Sequence, residues 1–236
     1  HDALPISNAV RSLILGLTGG RVSKAPVRGP AAQYYRRINR LSANFTLIAD
    51  TTLLILGGKF KFAESLSGRF ADALSHLYIA SCALKRFEDD GRPEADLPLL
   101  HWALSDSLHR VEEALHGVLA NFPSPAAAAV LERVCFPFGR AHAPADDRTA
   151  RKVAKILMSA NDSRQRLIAG AFVPTQDVGA AVAVRAFEAV LAAAEAERTV
   201  VNGTKRQPTP ANVDKLAAEA VAAGLISEEQ RKLLIE

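Results

Sequence analysis

The residues best suited to chemistry in this sequence lie in a few places. His109, Glu113 and His116 share one side of a helix by their spacing, and Glu113-x-x-His116 has the separation by which helical bundles hold paired iron or manganese ions. Such a centre needs a second Glu-x-x-His and further carboxylates on facing helices. The neighbouring segments supply none, so a solvated helix face is expected. Arg36, Arg37 and Arg40, next to Tyr34 and Tyr35, could meet an anion, although charge at this spacing ordinarily marks an exposed helix flank. The stretch GLTGGRVSK is glycine-rich, yet it lacks the GxxxxGK[ST] spacing and no strand pattern precedes it, so it reads as a helix stop and a loop. His101 beside Trp102 has no acidic or nucleophilic companion at a telling distance. No serine occupies a G-x-S-x-G turn, and Cys82 and Cys135 have neither a CxxC nor a motif partner. The expected set of catalytic, cofactor-binding and metal-binding residues within this chain is therefore none.

The elements that would carry these side chains are helices. In residues 66–91 the apolar positions step alternately by four and three through Leu66, Phe70, Ala73, Leu77, Ala80, Leu84 and Phe87, one stripe on a helix of about 3.6 residues per turn. Arg69, Asp72, His76, Lys85 and Glu88 fall on the opposite side, so one face is made for burial and the other for water. The same stepping passes through Tyr34, Ile38, Leu41, Phe45, Ile48, Thr52 and Ile55 over residues 31–56. It recurs through Leu97, Leu100, Leu104, Leu108, Val111, Leu115, Val118 and Phe122. Residues 8–17 read as a first helix, closed by Gly19 and Gly20, and Pro30 suits the first turn of the next. Gly57 with Gly58 and Gly91 followed by Pro93 end two of the long helices, and Asp96 is placed to cap the third. Short connections between successive long helices predict antiparallel neighbours.

After NFPSP the texture changes. Ser124 and Pro125 begin a shorter alanine-rich helix that fails at Pro137. Helical patterns resume over 148–159, 163–171 and 182–198, and VNGTKRQPTP reads as a linker. Thr209 and Pro210 open a last helical pair, with Gly224 as a stop and Ser227 with Gln230 at the spacing of a capping box. The expected fold is all-α: an antiparallel up-and-down helical bundle over 8–122, shorter helices packing on it over 123–206, and a C-terminal helical pair, truncated, over 207–236. No strand is predicted. The opening HDALPIS is what the adapter sequence CAC GAC GCT CTT CCG ATC T encodes in frame, so residues 1–7 are expected to be an assembly artefact outside the fold.

Bulk properties narrow the function classes. A chain of 236 residues can bury a sizeable core, and 6% aromatic content with abundant alanine suits close-packed helices. The net charge of +4 is spread among nearly balanced acids and bases, which argues against a nucleic-acid partner. Two cysteines without paired spacing fit a reducing compartment. Cys82, on the long helix, is expected to pack as a small hydrophobe. The most apolar run, 45–57, is broken by Asp50 and falls short of the roughly 18 residues a membrane span requires.

The string LSGRFADALSHLYIASCALKRFEDDGRPEADLPLLHWAL, with the upstream SNAVRSLILGLTGGRVSKAPVRGPAAQYYRRINRLSANFTLIADTTLLILGGKFK, resembles the C-terminal helical region of the large bacterial acyl-CoA dehydrogenases of fatty-acid degradation, the FadE type. The likeness runs more loosely to the end of the chain. It implies a parent enzyme that holds FAD and oxidises fatty acyl-CoA to trans-2-enoyl-CoA in β-oxidation, with a glutamate taking the α-proton and the flavin the β-hydride. That glutamate and the flavin- and CoA-binding stretches belong to segments upstream of this region, so no residue here inherits those roles. The resemblance further implies packing against the missing N-terminal catalytic part, a homodimeric parent, an electron-transfer acceptor, and a cytoplasmic location with peripheral membrane association. The exposed flank of the 31–56 helix and the alanine-rich helix at Val182 are the expected packing surfaces. A free-standing helical interaction module is the alternative from another class, and a bundle metalloprotein a second.

Overall fold

Three long helices carry the three apolar stripes: α2 (Ala32–Leu56), α3 (Glu64–Asp89) and α4 (Leu97–Ala120). The computed structural model describes residues 3–172, 174 and 178–235, and among them there are helices and turns but no strand. The α3 stripe is buried at every expected position from Leu66 to Phe87, and Ala73 and Ala80 are 0% exposed where small side chains admit the neighbouring α4. The α4 stripe is likewise buried from Leu100 to Phe122, leaving only Leu97 half-buried. Tyr35, early in α2, lies in the field of Lys85, Glu88 and Asp89 at the end of α3. Arg69, early in α3, reaches the backbone of Gly117 near the end of α4. Each successive pair is therefore antiparallel, as the short connections require.

Two further helices complete this unit, which spans His1–Val153. Helix α1 (Ala3–Leu17) lies antiparallel on α2, with the Asn8 amide donating to Asp50 at 3.0 Å. Helix α5 (Pro125–Cys135) packs on α1 and α4, capped by Ser124, whose hydroxyl accepts from the Ala127 amide. Of HDALPIS, His1 and Asp2 lie outside the described residues, while Ala3 to Ser7 form the first turns of α1. The α2 stripe is broader than predicted. Ile55 is exposed and Ile38 and Phe45 half-buried, while Arg40, Ala43, Asn44 and Leu47 are buried, because α2 touches α1, α3, α4 and α5 together. Cys82 is exposed, two residues off the α3 stripe on either side, and Cys135 is the thiol that packs in the core. Asp96 stands in a 3-10 turn and makes no side-chain cap on α4. Helix α2 with its following 3-10 turn is long and apolar enough to cross a membrane, as the core helix of a soluble protein also can be; this one buries the charged Arg40.

The second unit, Ala154–Glu236, holds α7 (Asp162–Ile168), α8 (Ala180–Thr204), α9 (Val213–Ala222) and α10 (Glu228–Ile235), while α6 (Asp147–Leu157) runs across the division. Its core is Ala196, Val200, Leu216, Ala217, Ala220 and Ile226. The stretch expected as a linker is helical through Thr204; Arg206 then pairs with Glu219 at 2.9 Å and ties the turn to α9. Pairing with α9 and α10 extends α8 past the polar residues that suggested an ending. Ser227 and Gln230 exchange the two expected capping-box bonds, at 2.9 and 3.1 Å.

Glycine stops work as read. At the end of α1, Gly19 (φ 59°) sends its amide to the Gly16 carbonyl and Gly20 (φ 79°) to the Leu15 carbonyl, the paired bonds of a left-handed helix stop. A Cβ on Gly20 would lie 2.8 Å from the Arg36 carbonyl oxygen, whereas one on Gly19 would meet nothing within 4 Å. Gly19→Ala is expected to cost only the left-handed conformation, about 1 kcal/mol, and Gly20→Ala about 3 kcal/mol, since backbone must also move. Urea denaturation of both variants checks this; equal losses would contradict the close approach of the α1 stop to α2.

Candidate functional site

The polar side chains of the first unit converge on its interior. Glu112 is four residues past Leu108 and three before Leu115, within the arc α4 buries, and it is 1% exposed. Both its carboxylate oxygens accept from the Ala141 amide at 3.0 Å, and Oε2 accepts from the His142 amide at 2.7 Å. The loop after α5 is thereby fastened onto α4. His109, one turn earlier, donates from Nδ1 to the His142 carbonyl at 2.9 Å, which fixes the tautomer of its ring. From α2, Arg40 is buried beside this centre; burial lowers its pKa and the fields of Glu112 and Cys135 oppose that. One turn on, the Asn44 amide donates to the Cys135 carbonyl at 3.0 Å, satisfying the end of α5.

Burial also sets the protonation states. His142 is pushed down to about 4, by desolvation first and then by Arg37, Arg40 and His109. The Cys135 thiol is pushed up to about 12, again mainly by desolvation, and so lacks the thiolate a nucleophile requires. His101 is lowered by burial, and its Nδ1 shares a hydrogen bond of 2.7 Å with the Tyr34 hydroxyl.

The metal-type triad does not assemble. Glu113 is exposed, His109 is bonded to the loop, and His116 meets Glu132 of α5 at 3.1 Å with its ring over Phe136. Among the described residues no three His, Cys, Asp or Glu side chains are placed to share an ion. The arginine cluster divides. Arg40 enters the core, contrary to the expected exposed flank, while Arg36 and Arg37 join the GLTGG turn in lining an open cleft of about 680 Å³. Trp102 is 40% exposed. Sequence reasoning weighed Glu113, read it as part of a solvated helix face, and did not single out Glu112; the signal was its place among Leu108, Val111 and Leu115.

A buried carboxylate with both oxygens engaged by backbone amides holds a loop. Over residues 1–236 the chain matches the family described as acyl-CoA dehydrogenase, C-terminal, bacterial type. The chain belongs to that family. No solved structure matches it. The family implies an acyl-CoA dehydrogenase as the parent and FAD as the parent's cofactor. Among the described residues neither the open cleft, whose lining has no aromatic ring to face an isoalloxazine, nor Glu112, closed off by amides, fits a flavin ring.

The lowered histidines are expected to make acid destabilising. Unfolded His142 takes up its proton near 6.5 and the folded residue only near 4, so between these values the unfolded state binds more protons and stability falls as pH drops. The contribution reaches about 3 kcal/mol at most, and His101 and His116, also lowered by burial, act with the same sign. The urea midpoint is expected to fall steadily from pH 6.5 to 4, with a shallower slope in His142→Gln. A flat profile would contradict a neutral buried His142.

Proposed function

We propose that this chain is the non-catalytic, helical C-terminal portion of a FAD-dependent dehydrogenase that oxidises fatty acyl-CoA to trans-2-enoyl-CoA in bacterial β-oxidation. The observation that carries the scaffold reading is Glu112: the carboxyl most deeply buried among the described residues serves the fold through backbone amides. Membership of the family supplies the parent's chemistry. The flavin, the proton-abstracting glutamate and the CoA contacts belong on this reading to the catalytic part of the same polypeptide. The enzyme is a cytoplasmic homodimer, passes its electrons to a separate acceptor and associates peripherally with the membrane.

Support for a docking role comes from apolar side chains on outward faces. Leu74, Tyr78 and Cys82 form one row at four-residue spacing on the solvent side of α3, with Leu74 55% and Tyr78 71% exposed. Leu53, Leu54 and Ile55 are exposed at the end of α2, and Val182 and Val190 along α8. Residues of this kind on a helix surface suit burial against a partner body.

The test compares this chain with the complete enzyme. The complete enzyme is expected to retain a flavin that fatty acyl-CoA bleaches, and the isolated chain to retain none. A maleimide should modify Cys82 readily in the chain alone and more slowly in the complete enzyme, while Cys135 stays silent in both. A complete enzyme whose flavin does not respond to acyl-CoA would refute the proposed reaction; equal Cys82 reactivity would refute docking through α3.

A further inference from the structure

The cleft between the end of α1 and the start of α2 has a composition that the polar centre and the enzyme reading leave unexplained. Arg21 comes from the turn after the α1 stop, and Arg36 and Arg37 from α2, so guanidinium groups reach the same opening from two elements. Gln33 adds an amide, and no acidic side chain lines the cleft. Like charges gathered this way repel one another unless an anion lies among them. The surroundings do not provide that anion: Arg21, Arg36 and Arg37 make no ion pair with a carboxylate among the described residues, and Arg36 Nε is shielded from water without a hydrogen-bond partner. Arg37 is instead laid over the Tyr34 ring, 5.4 Å from its centroid, and Tyr34 is held by His101 of α4, so one guanidinium is anchored through the core.

The opening is also held in shape. Gly20 passes so close to the Arg36 carbonyl that the α1 stop and α2 keep a fixed separation, and Asn39 donates to Ser23 at 2.7 Å and to the Lys24 carbonyl at 3.2 Å, pinning the loop that follows. The volume of about 680 Å³ far exceeds a lone phosphate and falls in the range of small-molecule sites. Leu17 and Val22 border the charged part, exposed at 54% and 60%, and give an apolar wall for the rest of a ligand.

We propose that this cleft binds a phosphoryl-bearing ligand of about nucleotide size, its phosphate oxygens held by Arg21, Arg36 and Arg37 and its organic part against Leu17 and Val22. Guanidinium is suited to phosphate because its planar fork of N–H donors matches two oxygens at once and its charge persists at every physiological pH. The site uses none of the residues of the docking faces on α3 and α8, and its existence does not depend on the dehydrogenase reading.

The experiment is calorimetric titration of the full 236-residue chain with pyrophosphate, ADP and CoA at low and high salt, alongside flotation with phosphatidylglycerol and phosphatidylcholine vesicles. Saturable binding of ADP or CoA is expected, tighter than that of pyrophosphate and weakened by salt. Arg21→Gln and Arg36→Gln should each weaken it about tenfold, the loss of roughly one charge-assisted contact. Arg21→Gln changes an exposed side chain and should leave the urea midpoint unaltered, which separates lost binding from lost folding. Flotation only with phosphatidylglycerol, abolished by Arg21→Gln, would keep the phosphoryl site and assign its source to lipid headgroups. Absence of saturable binding by every probe, or binding indifferent to both substitutions, would overturn the proposal.

Discussion

A carboxylate cannot be carried into a protein interior unless hydrogen bonds replace its water, and the first unit of this chain is built around one such replacement. Glu112 takes the amides of Ala141 and His142, which a loop would otherwise offer to solvent, and draws that loop against α4. The neighbouring polar groups follow from it. His109 closes the His142 carbonyl, Arg40 brings a positive charge from α2 into the same region, and Asn44 satisfies the carbonyl at the end of α5. The three long helices would form a bundle on their apolar stripes alone. The polar centre determines how α5 and its following loop sit on that bundle, since hydrogen bonds are directional where apolar contacts are not.

This arrangement separates support from chemistry. Three groups of the polar centre are each restrained: Glu112 by amides, His142 by burial that keeps it neutral, and Cys135 by a thiol pushed up to about 12. A reactive site usually shifts its titrating groups toward the working pH, and burial here moves both His142 and Cys135 away from it. The second unit uses another economy, a small core of alanine, valine, leucine and isoleucine, with Gly203 leaving room for Leu225 to lie against α8.

The stripes of α3 and α4 were legible because each helix buries a narrow face against few neighbours. Ala73 and Ala80 fell where the stepping placed them. Helix α2 was less legible, since contacts on several sides widen its buried arc and take in Arg40 and Asn44, which read by type as surface residues. Cys82 could have been placed correctly, standing two positions from both Ala80 and Leu84 and therefore opposite the stripe. Glu112 announced its burial by spacing but not its partners. These are main-chain amides about thirty residues away, a feature with no side-chain signature. The end of α8 was missed for a related reason: tertiary contacts with α9 and α10 override local polarity.

The most direct measurement is amide hydrogen exchange at Ala141 and His142, read by NMR on the intact chain. Amides in an irregular loop normally exchange close to the rate of an unfolded peptide, whereas amides held in a core open only with the surrounding structure. If Glu112 closes the polar centre, Ala141 and His142 will exchange as slowly as the amides of Leu108 and Val111 in the middle of α4. Exchange at the free-loop rate would show that the loop is not fastened, and the central role assigned to Glu112 would be wrong.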